Sequence, residues 1–377
     1  MKPVALLIVI AIFAGIMLVF APAILKDSIA SFPLFQALSE QRQQTAVSVE
    51  NATIFRSIDG GKIWFPQVAI DADKNIPPVT ILHLVLDHFD SNILYAGTEG
   101  DGLYKSVNNG QNWEKLYDRN RILADNASVY RVAQDPKNVN RIYIAAFQNK
   151  YGVFLKSEDG GVSFTQTYIS QLENYPVYAI AIHPVFSNIV YIGTAQGGFF
   201  ASEDFGETWQ VLEWLTGPVT DIAVNQATPS EMYAVANGRG LFRSQDGGRT
   251  WKGFSSELSR ISANSSVTMF RTDPQNQNTL YLALANGLVK SENRGSTWKF
   301  MNILIPPNAL PVDAVAVNPR DTFNVHVGVG ALMYMSDDGG INWSVQKLNT
   351  TKRVSTIVID PKDPQNMFLG MRVPKKR

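Results

Sequence analysis

Seven acidic or amide side chains recur along this chain in one setting: Asp59, Asn108, Asp159, Asp204, Asp246, Asn293 and Asp338. Each stands two residues after a serine and is followed by glycine and an aromatic residue, as in Ser244-Gln-Asp246-Gly-Gly248-Arg-Thr250-Trp251. A carboxylate so placed can move a proton in catalysis, or it can accept backbone N–H bonds and shape a turn. The amides at 108 and 293 decide between these roles, because an amide oxygen accepts hydrogen bonds without a titratable proton or a charge. The seven are therefore expected to be structural. The glycine agrees, since it takes the positive φ that other residues resist. The closing Trp or Phe has the apolar area to anchor one unit against its neighbour.

The serines that open the copies, Ser57, Ser106, Ser157, Ser202, Ser244, Ser291 and Ser336, lie 42 to 51 residues apart. A period of that size marks a repeat architecture. A second turn alternates with the first, near Asp87, Asp135, His183, Asn225, Asp273, Asn318 and Asp360. Strand-like runs such as Ile142-Tyr-Ile-Ala145 and Leu280-Tyr-Leu-Ala283 follow it. One unit thus reads strand, Asx-type turn, strand, glycine-rich loop, strand, boxed turn, strand. That is a four-stranded propeller blade, and seven of them make an all-β ring. The chain opens with a boxed turn and ends with a strand pair. Residues 52–69 are therefore expected to supply the outer strands of a blade whose inner strands come from about 353–371, closing the ring and removing exposed edges.

The seven copies resemble Asp-boxes, or BNR repeats, which occur in the propellers of sialidases, sortilin-type receptors, two-propeller xyloglucanases and photosystem II assembly factors. The resemblance runs from about residue 50 to the end. It implies the fold, while its function differs from one such family to another. A sialidase would require three clustered arginines and an early Arg-Ile-Pro segment. Arg56, in Ile54-Phe-Arg-Ser-Ile, has no such proline. Xyloglucanases of this kind place a catalytic acid in a cleft between two propellers, and this chain has the repeats of one. The assembly factors are single seven-bladed propellers that bind protein partners. The acylated cysteine of their cyanobacterial members has no counterpart here, because the chain has no Cys.

The 377 residues carry 33 basic and 33 acidic side chains, which argues against a nucleic-acid partner. Without cysteine there is no thiol metal site, and the four histidines follow no ligand spacing, so neither metal nor cofactor is expected. Residues Pro3 to Leu25 form an uncharged run of 23, long enough to span a bilayer as a helix. The expected organisation is an N-terminal transmembrane anchor, or a signal peptide, over 1–26. A linker over 27–50 and a propeller over 51–377 follow, the propeller lying on the extracytoplasmic side.

Both turn types belong to one face, so the blade-to-blade loops and glycine-rich loops share the other. The sequence places partner recognition on that second face. Its candidates are Arg119, Arg121 and Trp214, the one tryptophan of seven outside the boxes. A polar column aligned on the inner strands adds Tyr130, Arg131, Tyr178, Asp221, Arg271 and Asp313. These are expected to converge near the mouth of the central channel. No residue is singled out as catalytic. The sequence is read as a non-enzymatic, membrane-anchored scaffold that binds protein partners, a membrane complex among them. A glycan-binding or glycan-cleaving propeller is the alternative.

Overall fold

A computed structural model describes residues 50–71, 74–261, 266–306 and 310–374. The expected transmembrane helix and nearly all of the expected linker lie outside the described residues. Among the described residues no helix is long and apolar enough to cross a membrane.

Seven four-stranded antiparallel sheets form the ring. Six blades are continuous in sequence, with inner strands Ile81–Leu86, Ser128–Gln134, Val177–Ile182, Val219–Val224, Val267–Thr272 and Ala314–Val317, here blades 1 to 6. Blade 7 is composite. Its two inner strands, Arg353–Ile359 and Met367–Arg372, come from the end of the chain, and its outer strands, Ile54–Ser57 and Phe65–Pro66, come from the start. The seam is a full antiparallel ladder pairing Ile54 with Gly370 and Ser57 with Met367. The closure read from the alternation of turns is what the chain adopts.

The boxed turns owe their shape to one repeated set of bonds. In the fifth box the Ser244 hydroxyl donates to Asp246 Oδ1 at 2.8 Å and accepts the Gly248 N–H at 2.8 Å. The same carboxylate accepts the Thr250 N–H at 2.9 Å and the Thr250 hydroxyl at 2.6 Å. Where asparagine replaces aspartate, Oδ1 still accepts the N–H four residues on, at 2.9 Å from Asn112 and 2.8 Å from Thr297. The amide nitrogen then donates where the second carboxylate oxygen accepted, to Asn112 Oδ1 and Thr297 Oγ1. These bonds hold Asp159, Asp204, Asp246 and Asp338 down at a pKa of about 2. For Asp159 the opposing cost of burial is outweighed by its hydrogen bonds to Ser163, Ser157 and Val162.

The second turn type repeats as strictly. Its leading residue accepts the N–H two positions on, from Phe89, Lys137, Val185, Ala227, Gln275, Arg320 and Lys362 in turn. In blade 3 the acceptor is Nδ1 of His183.

The apolar interior is divided among the seams. One cluster joins Tyr95 and Leu103 of blade 1 to Val129, Ile144 and Phe164 of blade 2, and others repeat this between later neighbours. Box aromatics close the seams from outside: Trp209 meets Phe154 of blade 2 edge-on at 4.8 Å, and Trp251 meets Phe199 of blade 3 at 5.0 Å. Near the axis the second strands carry Gly97, Gly193, Gly328 and Gly370. A Cβ on Gly97 would stand 2.5 Å from the Val129 carbonyl oxygen, so the next inner strand packs directly on its backbone.

Candidate functional site

The inner strands surround a channel, and six of the seven have an irregular register near its mouth. Blade 6 pairs without one. Such a bulge adds one residue to the strand and re-aims its side chain. In blades 2 and 3 the extra residues are Tyr130 and Tyr178, whose rings meet edge to face with centroids 4.7 Å apart. Burial, then Tyr178 and Glu99, push the Tyr130 hydroxyl up to about 12, so it stays protonated and can donate.

One residue further along, Arg131 leaves its own blade. Its Nη2 donates to Asp221 Oδ1 at 2.7 Å, although Asp221 belongs to blade 4. The guanidinium passes blade 3 because the matching residue there is Ala179, which offers no side chain to block it. Arg271 of blade 5 reaches the same carboxylate from the other side, Nη1 to Oδ2 at 3.3 Å, and donates to the Phe270 carbonyl at 2.7 Å. Protein walls enclose the channel, yet 31 % of the Arg271 side chain still faces the lumen. Burial lowers its pKa first of all.

His83 completes the lining, its Nδ1 accepting the Val132 N–H at 3.2 Å. Burial, followed by Arg131 and Arg271, holds its pKa well below the ordinary value, so the ring is neutral at pH 7. Two guanidiniums therefore answer to one carboxylate. The Nε of Arg131 is buried without a hydrogen-bond partner. The lumen thus has an excess of positive charge and an unused donor, the combination that receives an anion.

The expected convergence is partial. Tyr130, Arg131, Tyr178, Asp221 and Arg271 do come together. Asp313 does not join them: it accepts the Gly330 N–H at 2.9 Å and pairs with Arg353 at 2.7 Å, tying blade 6 to blade 7. Arg119 and Arg121 lie in the connector that follows a two-residue outer strand, Glu114–Lys115. So short a strand releases the chain early, and the connector laps onto the boxed turn of blade 2, with the Arg119 N–H donating to the Val162 carbonyl. Asp118 pins it there by accepting N–H bonds from Asn120, Ile122, Leu123 and Phe164. Trp214 ends the outer strand Gln210–Trp214 and rests edge-on against Phe200 at 5.9 Å, capping its own blade. Arg353 and Asp118 escaped the sequence reading, since their roles depend on which neighbouring blade each connector touches.

A second concavity lies on the boxed face between blades 3 and 4. It encloses about 460 Å³ and is lined by His183, Tyr191, Glu203, Gln210 and Arg249 among others.

With this geometry established, comparison with known proteins gives consistent results. A family model described as BNR/Asp-box repeat matches residues 334–345, the sixth-blade box. The chain carries a BNR/Asp-box repeat. Xyloglucanase Xgh74A of Acetivibrio thermocellus is 31 % identical over 155 residues, covering 37 % of this chain and 18 % of that protein. The chain thus spans under a fifth of the length of the curated relative it matches. Among solved structures, a GH74 enzyme of Niastella koreensis superposes with a TM-score of 0.64 at 18 % identity, over 84 % of this chain and 52 % of the other. YCF48 bound to a D1 peptide superposes with a TM-score of 0.60 at 18 % identity, over 78 % of this chain and 94 % of the other. At these identities the structural likenesses establish the propeller fold. The xyloglucanase relatives overturn the expectation of a chain without enzymatic activity, because the segment they share with it belongs to glycoside hydrolases.

Proposed function

We propose that the propeller binds an anionic segment of a partner polypeptide, a carboxylate above all, at the channel mouth. The observation that carries this reading is the pairing of Arg131 and Arg271 with the single carboxylate of Asp221, with Arg131 Nε left over. Tyr130 and Tyr178 stand beside it and supply the flat, weakly hydrated surface on which peptide chains commonly rest. The likeness to YCF48 in complex with a D1 peptide, over nearly all of that propeller, supports a peptide as the ligand class.

The test is fluorescence anisotropy with labelled peptides that end in a free carboxylate or in an amide. Preference for the carboxylate, lost in Arg131→Ala and Arg271→Ala while melting stays cooperative, is the expected result. Equal binding of both peptides to all three proteins would remove the reading.

A second reading, action on a β-glucan such as xyloglucan, is favoured by the 31 % identity to Xgh74A. Release of reducing ends from xyloglucan by the purified chain, measured beside the peptide titration, tests it directly. Placement outside the cytoplasm with a membrane anchor rests on the uncharged run from Pro3 to Leu25, and membrane fractionation with protease protection tests that placement.

A further inference from the structure

Opposite the channel mouth, on the boxed face, the blades share a pair of facing positions, and blades 3 and 6 lack its cation. On the second strand stands an aromatic residue or histidine: Tyr95, Tyr143, Tyr191, Tyr233, Tyr281, His326 and Phe368. Directly across on the third strand stand Lys105, Lys156, Ala201, Arg243, Lys290, Met335 and Arg56 respectively. Five of the seven are cations. In blades 1, 5 and 7 the cation lies over the ring, 5.4, 5.8 and 5.7 Å from the centroid. In blades 2 and 5 it also pairs with the glutamate that follows the box serine: Lys156 with Glu158 at 2.7 Å, Lys290 with Glu292 at 3.0 Å.

Blade 3 keeps the ring and the acid and lacks the cation. Tyr191 faces Ala201, and Glu203 stands where Glu158 and Glu292 stand in their blades. The 460 Å³ cavity is the space such a long basic side chain would fill, and Tyr191, Ala201 and Glu203 all line it. Tyr191 is only 5 % exposed, and its hydroxyl has no hydrogen-bond partner among the described residues. Glu203 makes no ion pair among them either. Three carboxylates line the cavity, Glu203, Asp204 and Asp246, against one guanidinium, Arg249. Asp204 and Asp246 are spent on their own turns. His183, lowered by burial and then by Lys137, is neutral at pH 7 and adds no positive charge.

We propose that this vacancy is a receptor site for the basic side chain, lysine or arginine, of a partner polypeptide. The incoming ammonium or guanidinium takes the place that Lys290 occupies within its own blade, over the tyrosine ring and beside the glutamate. A cation held over an aromatic face gains only modestly, so one side chain gives a weak contact suited to one anchor of a larger interface. The site is on the face away from the channel mouth and stands or falls independently of the carboxylate reading above.

The experiment titrates the full chain with acetyl-Gly-Gly-Lys-Gly-Gly-amide by NMR, beside the same peptide carrying norleucine. The lysine peptide is expected to bind saturably and more weakly in high salt, and the norleucine peptide at least fivefold more weakly. Glu203→Gln, at an exposed position, should weaken binding at least fivefold, and Arg249→Gln should tighten it by removing a like charge. Ala201→Lys should abolish binding by filling the vacancy from within. Norleucine binding as well as lysine, or unchanged affinity in Glu203→Gln, overturns the proposal. So does competition by a neutral xyloglucan oligosaccharide, which marks a sugar site, or tighter binding of free cadaverine than of the peptide, which marks a small-amine site.

Discussion

Arg131 of blade 2 is ion-paired with Asp221 of blade 4 at 2.7 Å, across the whole width of the blade between them. That contact, shared with Arg271, crosses three seams at the level of the channel. Asp221→Asn leaves two guanidiniums facing each other without a counter-charge. The variant should lose about 3 kcal/mol, as when one partner of an enclosed ion pair is removed. Added sulfate or acetate should restore part of the loss by occupying the vacated place. Calorimetry with and without 50 mM acetate, a concentration of about that order being enough to populate a weak anion site, checks it. An unchanged melting temperature shows that the triad is incidental.

The composite blade makes the end of the chain indispensable. Removal of residues 353–377 deletes two of its four strands and leaves Ile54–Ser57 paired only with the two-residue strand Phe65–Pro66. The truncated protein is expected to lose cooperative melting altogether, because an opened ring exposes the apolar seams at both ends. Circular dichroism with thermal ramps decides, and a sharp transition at the parent temperature contradicts the closure argument.

In the boxes, geometry matters more than charge. Asp246→Ala should cost about 1 kcal/mol, the usual toll of a lost turn or cap acceptor. Asp246→Asn should cost less, since Asn108 and Asn293 keep the same acceptor bonds. Urea titrations of both variants test the order, and an asparagine variant weaker than the alanine one refutes it.

Acid should weaken the fold in two stages. His326 is buried, with its Nε2 2.7 Å from Asn324 Oδ1, and burial lowers its pKa to about 4 despite the opposing pull of Asp337. A histidine depressed in the folded state contributes stability above its unfolded value near 6.5. That stability is lost as pH falls through 4. The boxed aspartates, at about 2, contribute stability above their unfolded value near 4, and it is lost as pH falls through 2. His326→Gln should make the fall in melting temperature between pH 7 and 4 shallower, leaving the share that buried His83 contributes, and leave the lower stage intact. An unchanged profile assigns the first stage to another group.

Fold and site were legible in the sequence to different degrees. Boxes and second turns depend on partners two to four positions away, so spacing alone exposes them, and their alternation from one end to the other implies the shared blade. The lumen column follows from aligning the inner strands on their turns, and the structure pairs its Arg131 and Asp221 with the nearby Arg271. Arg119, Arg121 and Trp214 were placed at the mouth on loop type alone. Whether a connector turns toward the axis or laps outward depends on how soon its outer strand ends, and Glu114–Lys115 ends after two residues. The vacancy at Ala201 was visible in principle, as a missing cation facing a tyrosine, whereas in blade 6 Met335 faces His326 and the tyrosine is absent too. It acquires meaning only when the facing ring and the acid beside it are seen to remain.

The ladder between Ile54–Ser57 and Met367–Arg372 also governs how the protein comes into being. A side-chain bond across that blade, Arg56 to Asn366, joins residues 310 positions apart. On a ribosome adding roughly 5–20 residues each second, the first strand emerges some 15 to 60 seconds before the strand that covers it. Throughout that interval Ile54-Phe-Arg-Ser57 is an unpaired edge, open to any passing strand. Blades 1 to 6 can each form as they are made, but the ring locks only after residues 367–372 leave the exit tunnel. A nascent chain stalled before residue 367 should therefore stay open and accept a synthetic peptide of residues 367–372, which the finished protein refuses.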